Sequence, residues 1–268
     1  MNADAHHASL VEIEHGAYGV PGVVRLTMNR PAAFNALSEA LLDELQKALT
    51  GIAQSDARVV VIAGAGRAFC AGHDLKEMRA APSLAYYQGL FARCTKLMMT
   101  TQRMPQPVIA RVQGIATAAG CQLVAMCDLA VAADTARFAV SGVNLGLFCA
   151  TPSVPLSRNL SRKAALEMLL TGDFIDAAEA KRQGLVNRTA PEDALDVELA
   201  RLATSICAKP VEAVSAGKGL FYRQLEMGIE AAYQLAGQTM ACNMMDESAL
   251  EGVQAFIDKR PPDWKHQA

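Results

Sequence analysis

The sequence has no long uninterrupted apolar run. Gly, Arg, Asp or Gln breaks each one within a few residues, well short of the roughly 20 residues that span a bilayer, so no membrane partner is expected. No basic segment followed by an apolar stretch opens the N-terminus, MNADAHHASL, and a secretory signal is not predicted. Excess charge of either sign is also missing: 25 Lys and Arg stand against 27 Asp and Glu, a net charge of -2. That excludes the broad basic field needed for nonspecific binding to nucleic acid or an anionic membrane. The cysteines lack a pattern. Cys70, Cys94, Cys121, Cys127, Cys149, Cys207 and Cys242 form an odd set without paired spacing, which fits buried thiols in a reducing cytoplasm better than disulfides or a zinc site. His6-His7 reads as a tail, not as a ligand pair.

Apolar residues make up 51% of 268, enough to bury one large domain or a domain with a small appendage. Val11 to Met28 predicts two strands around a Gly-rich turn. Asn35 to Gln54 predicts a helix, with Leu37, Leu41, Leu45 and Leu49 along one stripe and Ser38 as N-cap. The run VVVIA before Gly64 predicts a buried strand, as do Pro107 to Val112 and Leu129 to Ala133. Helices are expected at Leu84 to Met104, Cys121 to Met126, Lys163 to Leu170 and Ala177 to Gln183, with small-residue loops between, notably Gly114 to Gly120. Val186 to Arg188 predicts a last short strand. Strand, tight loop and helix at this rhythm indicate a layered α/β fold. Beyond about Pro191 the pattern is helical throughout. The expected division is a core over 1–190 and a helical segment over 191–268, whose Met227, Met240, Met244 and Met245 suit packing between subunits.

Gly64-Ala65-Gly66 after VVVIA invites a dinucleotide-binding reading. Phe69 stands where the third glycine belongs, and this argues against a nicotinamide oxidoreductase. Two longer stretches are more specific: GRAFCAGHDLKEM (Gly66 to Met78) and QGIATAAGCQLVAMCD (Gln113 to Asp128). Either alone reads as a small-residue packing loop. Together they resemble the two signatures of the enoyl-CoA hydratase/isomerase, or crotonase, family, and NRPAAFNAL, ALEMLLTGDFIDAAEAKRQGLVN and AFIDKR match in the family's order. GHDLKE, ATAAGCQL and GVNLGLFCATP resemble one subgroup within it.

The resemblance implies a spiral of repeated ββα units with a helical C-terminal trimerisation segment, a homotrimer or homohexamer. It implies an acyl-CoA substrate in fatty acid metabolism, a lyase-type reaction, and no cofactor or metal beyond the coenzyme A of the substrate. Thioester chemistry next to the carbonyl passes through an enolate, whose oxygen needs preorganised donors. By alignment these are the backbone N–H groups of His73 and Ala119, with Gly72 allowing the tight turn and the start of a helix adding positive potential. Adenine and ribose are expected against Ala33, Phe34, Ala71 and His73. Phe256 and Lys259 are expected to come from a neighbouring subunit. Ala32 stands where relatives often carry a phosphate-binding lysine.

Two positions depart from the family. The glutamate that activates water is replaced by Gln122, and the one that protonates the α-carbon by Gly142. Losing such groups costs roughly 10²–10⁴-fold each, so the two-glutamate mechanism is not available. Three readings stay open. Another enolate reaction is one, with Ser141, Cys149, His73 or Asn144 assisting. The second places an anion such as bicarbonate in the space left by Gly142, as in the related dihydroxynaphthoyl-CoA synthases. The third is acyl-CoA binding without turnover.

Overall fold

A computed structural model describes residues 9–80 and 82–264; His6 and His7 lie outside them. Two sheets carry the architecture. The larger has six strands in the order β1 (Val11–His15), β2 (Val23–Met28), β3 (Val59–Gly64), β5 (Val108–Val112), β7 (Leu129–Ala133) and β10 (Arg188–Ala190). Only the β1–β2 pair in it is antiparallel. The smaller has four strands, β4 (Ala68–Cys70), β6 (Ile115–Thr117), β8 (Arg137–Ala139) and β9 (Ile175–Asp176). The chain alternates between them: β3 then β4, β5 then β6, β7 then β8. Each pair leads into helix, α2 (Leu75–Ala80) and α3 (Leu84–Arg103), α4 (Ala119–Met126), or α5 (Ala150–Asn159) and α6 (Arg162–Thr171). This is the spiral of ββα turns.

Every residue of β3 is buried, because both faces of the large sheet are covered. Val60, Ile62, Val108 and Ala110 point into the main core with the leucines of α1 (Glu39–Ile52). Their neighbours Val59, Val61, Ile109 and Val131 point the other way, against Leu195, Leu199 and Leu202 of α8 (Leu195–Cys207). A central parallel strand covered in this way reads as a continuous apolar run.

The remaining elements are α7 (Ala177–Gln183), α9 (Val211–Gln224), α10 (Ile229–Asn243) and α11 (Glu247–Ile257). One buried ion pair ties α9 to the core. Lys218 lies 2.7 Å from the Asp128 carboxylate and donates to the Gln106 carbonyl at 2.8 Å, and Tyr222 donates to Asp128 at 2.8 Å. Among the described residues, no helix is long and apolar enough to cross a membrane.

Several boundaries differ from expectation. Helix α1 begins at Glu39, four residues late. Phe34 and Asn35 take left-handed φ values of 52° and 54°, and Leu37 bridges to His73. Ser38 is the N-cap, accepting from the Leu41 N–H. The Gly114 to Gly120 loop contains β6, and the last strand is Arg188–Ala190, not Val186 to Arg188. Helix α5 holds Pro152 and Pro155 and was not expected.

Candidate active site

The two signature loops meet at the edge of the small sheet. The loop after β2 docks on the segment Ala71–Asp74. Ala71 donates to the Phe34 carbonyl at 3.0 Å, Leu37 to the Gly72 carbonyl at 2.7 Å, and Asp74 to the Leu37 carbonyl at 3.3 Å. This is a parallel bridge between Leu37 and His73. In such a bridge the bonds flank the paired residue, so the N–H of His73 itself turns away from Leu37. Buried amides hold the preceding loop: Asn35 donates to the Ala65 and Ala68 carbonyls, and Gln113 to those of Gly64, Gly66 and Ala68.

The second signature packs directly behind. A Cβ on Gly72 would come within 2.8 Å of the Ala118 Cβ and 3.2 Å of the Ala119 nitrogen. Ala119 is the first residue of α4, and the first bond of that helix runs from the Gln122 N–H to the Ala118 carbonyl. The N–H groups of Ala119, Gly120 and Cys121 therefore have no acceptor inside the helix, and they stand at its positive end. Ala119 itself has no positive φ. The strain falls one residue earlier, where Ala118 sits at φ 49°, ψ -120°, a region that costs a side chain on the order of 1–3 kcal/mol. Sequence reasoning did not single out Ala118; the signal available was an alanine where the family's run of three consecutive glycines begins. Backbone N–H groups aimed at one point stabilise charge developing on an oxygen placed there.

The positions of the two replaced glutamates differ in character. Gln122 is 4% exposed, and its shielded Oε1 has no hydrogen-bond partner among the described residues. Gly142 lies in a 3-10 turn, Ser141–Leu145, where a Cβ would stand 2.5 Å from the Leu147 carbonyl oxygen and 2.7 Å from the Cys149 sulfur. As the segment stands, a side chain at Gly142 has no room for its first carbon. The other candidates are occupied or turned out. Ser141 shares a 3.0 Å hydrogen bond with Thr117. Asn144 is exposed, its amide against Gly172. Burial pushes the Cys149 thiol up, only partly offset by the Gly142 backbone, so it is not primed as a thiolate.

His73 is different. Both ring nitrogens are shielded from solvent and lack partners among the described residues. The ring packs edge-on against Phe91, with centroids 5.6 Å apart. Burial holds its pKa below the ordinary histidine value, and the Leu37 backbone opposes this in part.

Ala33 ends a 3-10 turn, Pro31–Ala33, beside Phe34. The Arg67 guanidinium lies 4.5 Å above the Phe34 ring, a cation–aromatic contact that sequence reasoning missed because 33 residues separate the partners. Phe256 is 85% exposed on α11, and neither it nor Lys259 makes a side-chain hydrogen bond, ion pair or ring contact to these loops within one chain. Ala33, Phe34, Ala71, His73 and Ala119 are brought together; Phe256 and Lys259 are not.

The sequence profile of the Enoyl-CoA hydratase/isomerase family matches residues 20–267. The chain is 45% identical over 246 residues to rat "Enoyl-CoA hydratase domain-containing protein 3, mitochondrial", covering 91% of this chain and 82% of the relative. The human protein of that name is 44% identical over 247 residues, covering 92% and 82%. An enoyl-CoA hydratase structure from Mycobacterium smegmatis superposes with a TM-score of 0.93 at 62% identity, covering 96% of this chain and 99% of the other. The structure of human enoyl-CoA hydratase domain-containing protein 3 gives a TM-score of 0.91 at 42% identity, covering 96% and 100%. The rat and human relatives overturn one expectation: their names place them in mitochondria, not the cytoplasm. Scattered thiols report only a reducing environment, which does not single out one compartment. The signatures, the ββα spiral and the end-to-end match agree, and the chain belongs to the enoyl-CoA hydratase/isomerase (crotonase) family.

Proposed function

We propose that the protein binds acyl-CoA thioesters and stabilises their enolates between the N–H groups of His73 and Ala119, acting on enoyl-CoA in fatty acid metabolism as a hydratase-like lyase. The observation that carries this reading is the Leu37–His73 bridge, which turns the His73 N–H away from its neighbour while Gly72 packs against the start of α4. Adenine and ribose lie against Ala33, Phe34 and Ala71, with Arg67 as a cation where Ala32 supplies none. The exposed Phe256, together with Lys259, completes the coenzyme A site from a neighbouring subunit of a homotrimer or hexamer; the exposed apolar side chains Ile229, Tyr233 and Met240 on α10 support such an assembly.

A second reading has its own observation. With Gln122 unable to accept a proton and Gly142 closed against any side chain, the protein binds acyl-CoA without hydrating it. Hydration of crotonyl-CoA and longer 2-enoyl-CoAs, followed as loss of enoyl absorbance beside calorimetric binding of a saturated acyl-CoA, separates the two. Binding with turnover supports the lyase, binding alone supports the second reading, and absence of both removes the coenzyme A assignment.

A further inference from the structure

We propose that Thr117 and Ser141 are positioning residues for the Ala119 donor: their hydroxyl pair holds Ala118 in its strained conformation and so aims the Ala119 N–H. This rests on the reading above, in which that N–H meets the thioester oxygen.

Geometry links the pair to the donor. The Ala119 N–H belongs to the peptide plane between Ala118 and Ala119, and a planar peptide turns as one unit. Its direction is therefore set by ψ of Ala118 and φ of Ala119. Ala118 has φ 49° and ψ -120°, outside the regions open to a residue with a Cβ. Such a conformation persists only where the surroundings over-determine it. Rotation of Ala118 into a common region would swing the 118–119 plane, and the N–H with it.

Four contacts hold Ala118 as it is. Its N–H donates to the Ala139 carbonyl at 3.0 Å, which continues the parallel pairing of β6 with β8. Its carbonyl accepts from the Gln122 N–H at 3.0 Å, closing the first turn of α4. Its Cβ fits against Gly72, where a second Cβ would stand 2.8 Å away. The fourth contact acts on the residue immediately before it: the Thr117 hydroxyl lies 3.0 Å from that of Ser141. The first two are backbone bonds and the third is packing; only the fourth is a hydrogen bond between side chains.

Ser141 is itself fixed. It opens the 3-10 turn Ser141–Leu145, which the Leu147 N–H closes on the Gly142 carbonyl at 3.0 Å and the Gly146 N–H on the Val143 carbonyl at 3.1 Å. On one side Gly142 packs against the Leu147 carbonyl and the Cys149 sulfur, and on the other the Asn144 amide packs against Gly172 at the end of α6. Thr117 is thereby tied to a braced turn. Both hydroxyls are half-buried, so water can replace either partner and the pair adds little to global stability. Its effect falls on the direction of the 118–119 peptide.

The test reads carbonyl polarisation directly. Butyryl-CoA isotope-labelled at its thioester carbonyl is bound to the full chain, and the carbonyl stretch is followed by infrared difference spectroscopy beside calorimetric binding of the same ligand. Wild type moves the stretch to lower frequency than in free ligand. Ser141→Ala and Thr117→Val each bind comparably but lose much of that shift. The double variant loses no more than either single one, because both break the same bond. Ser141→Thr keeps the hydroxyl and the shift. Ala118→Gly removes the strain that the pair opposes, so adding it to Ser141→Ala restores the shift, which a change in stability alone would not do. If one single variant does not fold, the other carries the test. A full wild-type shift in the single variants overturns the proposal, and so does a loss in Ser141→Ala that Ala118→Gly fails to restore. Butyryl-CoA bound by wild type with an unshifted carbonyl removes the oxyanion reading, and failure to bind removes the acyl-CoA reading; the proposal falls with either.

Discussion

Gly120 approaches Cys70 so closely that a Cβ on the glycine would lie 2.7 Å from the Cys70 carbonyl carbon, and nearer still to its oxygen. The contact locks the start of α4 onto β4, and with it the two signature loops onto each other. Gly120→Ala should therefore cost about 3 kcal/mol or prevent folding, since overpacking against backbone finds no easy relaxation. Gly89→Ala in α3 meets nothing within 4 Å and should stabilise by about 0.5–1 kcal/mol. Urea unfolding of both variants checks the contrast; equal effects would show that close approach is not what fixes the glycine.

Ala118 holds the reverse kind of strain. Its φ of 49° with ψ of -120° belongs to glycine. Ala118→Gly should raise stability by about 1 kcal/mol, the relieved strain exceeding the greater chain entropy of glycine. Thermal unfolding reads this directly, and a lower Tm would contradict it.

Ala119→Pro removes one N–H at the first position of a helix, where proline is well tolerated. If that N–H carries enolate charge, activity in whichever thioester reaction the wild type performs should fall about 10²–10³-fold, with helicity unchanged by circular dichroism. Full activity would remove Ala119 from the oxyanion assignment.

Restoring the family's glutamates should succeed at one position and fail at the other. Gln122→Glu is close to isosteric, and it should raise crotonyl-CoA hydration about 10²-fold over wild type by supplying a general base. Adding Gly142→Glu should destroy the gain, because the Leu147 carbonyl and the Cys149 sulfur occupy the place of its Cβ. A double variant more active than the single would show that the 141–149 segment yields readily.

Lys218 and Asp128 form a buried pair, their side chains 7% and 13% exposed. Lys218→Met leaves the carboxylate uncompensated and should cost about 3–5 kcal/mol at neutral pH. Burial already pushes the Asp128 carboxyl up against the pull of Lys218, and losing the lysine pushes it further. A carboxyl whose folded pKa is raised stabilises the native state below its unfolded value and loses that contribution as pH rises through the folded one. The variant's deficit should shrink toward low pH and grow toward neutrality, measured as denaturation midpoints across pH.

The sequence by itself determined what depends on short-range pattern. Strands β3 and β7 were legible because burial on both faces demands unbroken apolar runs, and α1 and α7 because a leucine stripe, a Ser38 cap and a terminal Gly184 are local signals. The two signatures carried the family, and the missing carboxylates at Gln122 and Gly142 were visible as letters. The three-residue strands β4, β6 and β8 were not legible, since each exists only through its partner in the small sheet. Helix α5 was hidden by its prolines. Only the tertiary structure decided that Gly142 has no room for a side chain, that Ala118 bears the strain, that Arg67 covers Phe34, and that the His73 ring is shielded without a partner. Each of these is set by atoms brought from elsewhere in the chain, and no local pattern encodes what will be packed against a residue once the sheets close.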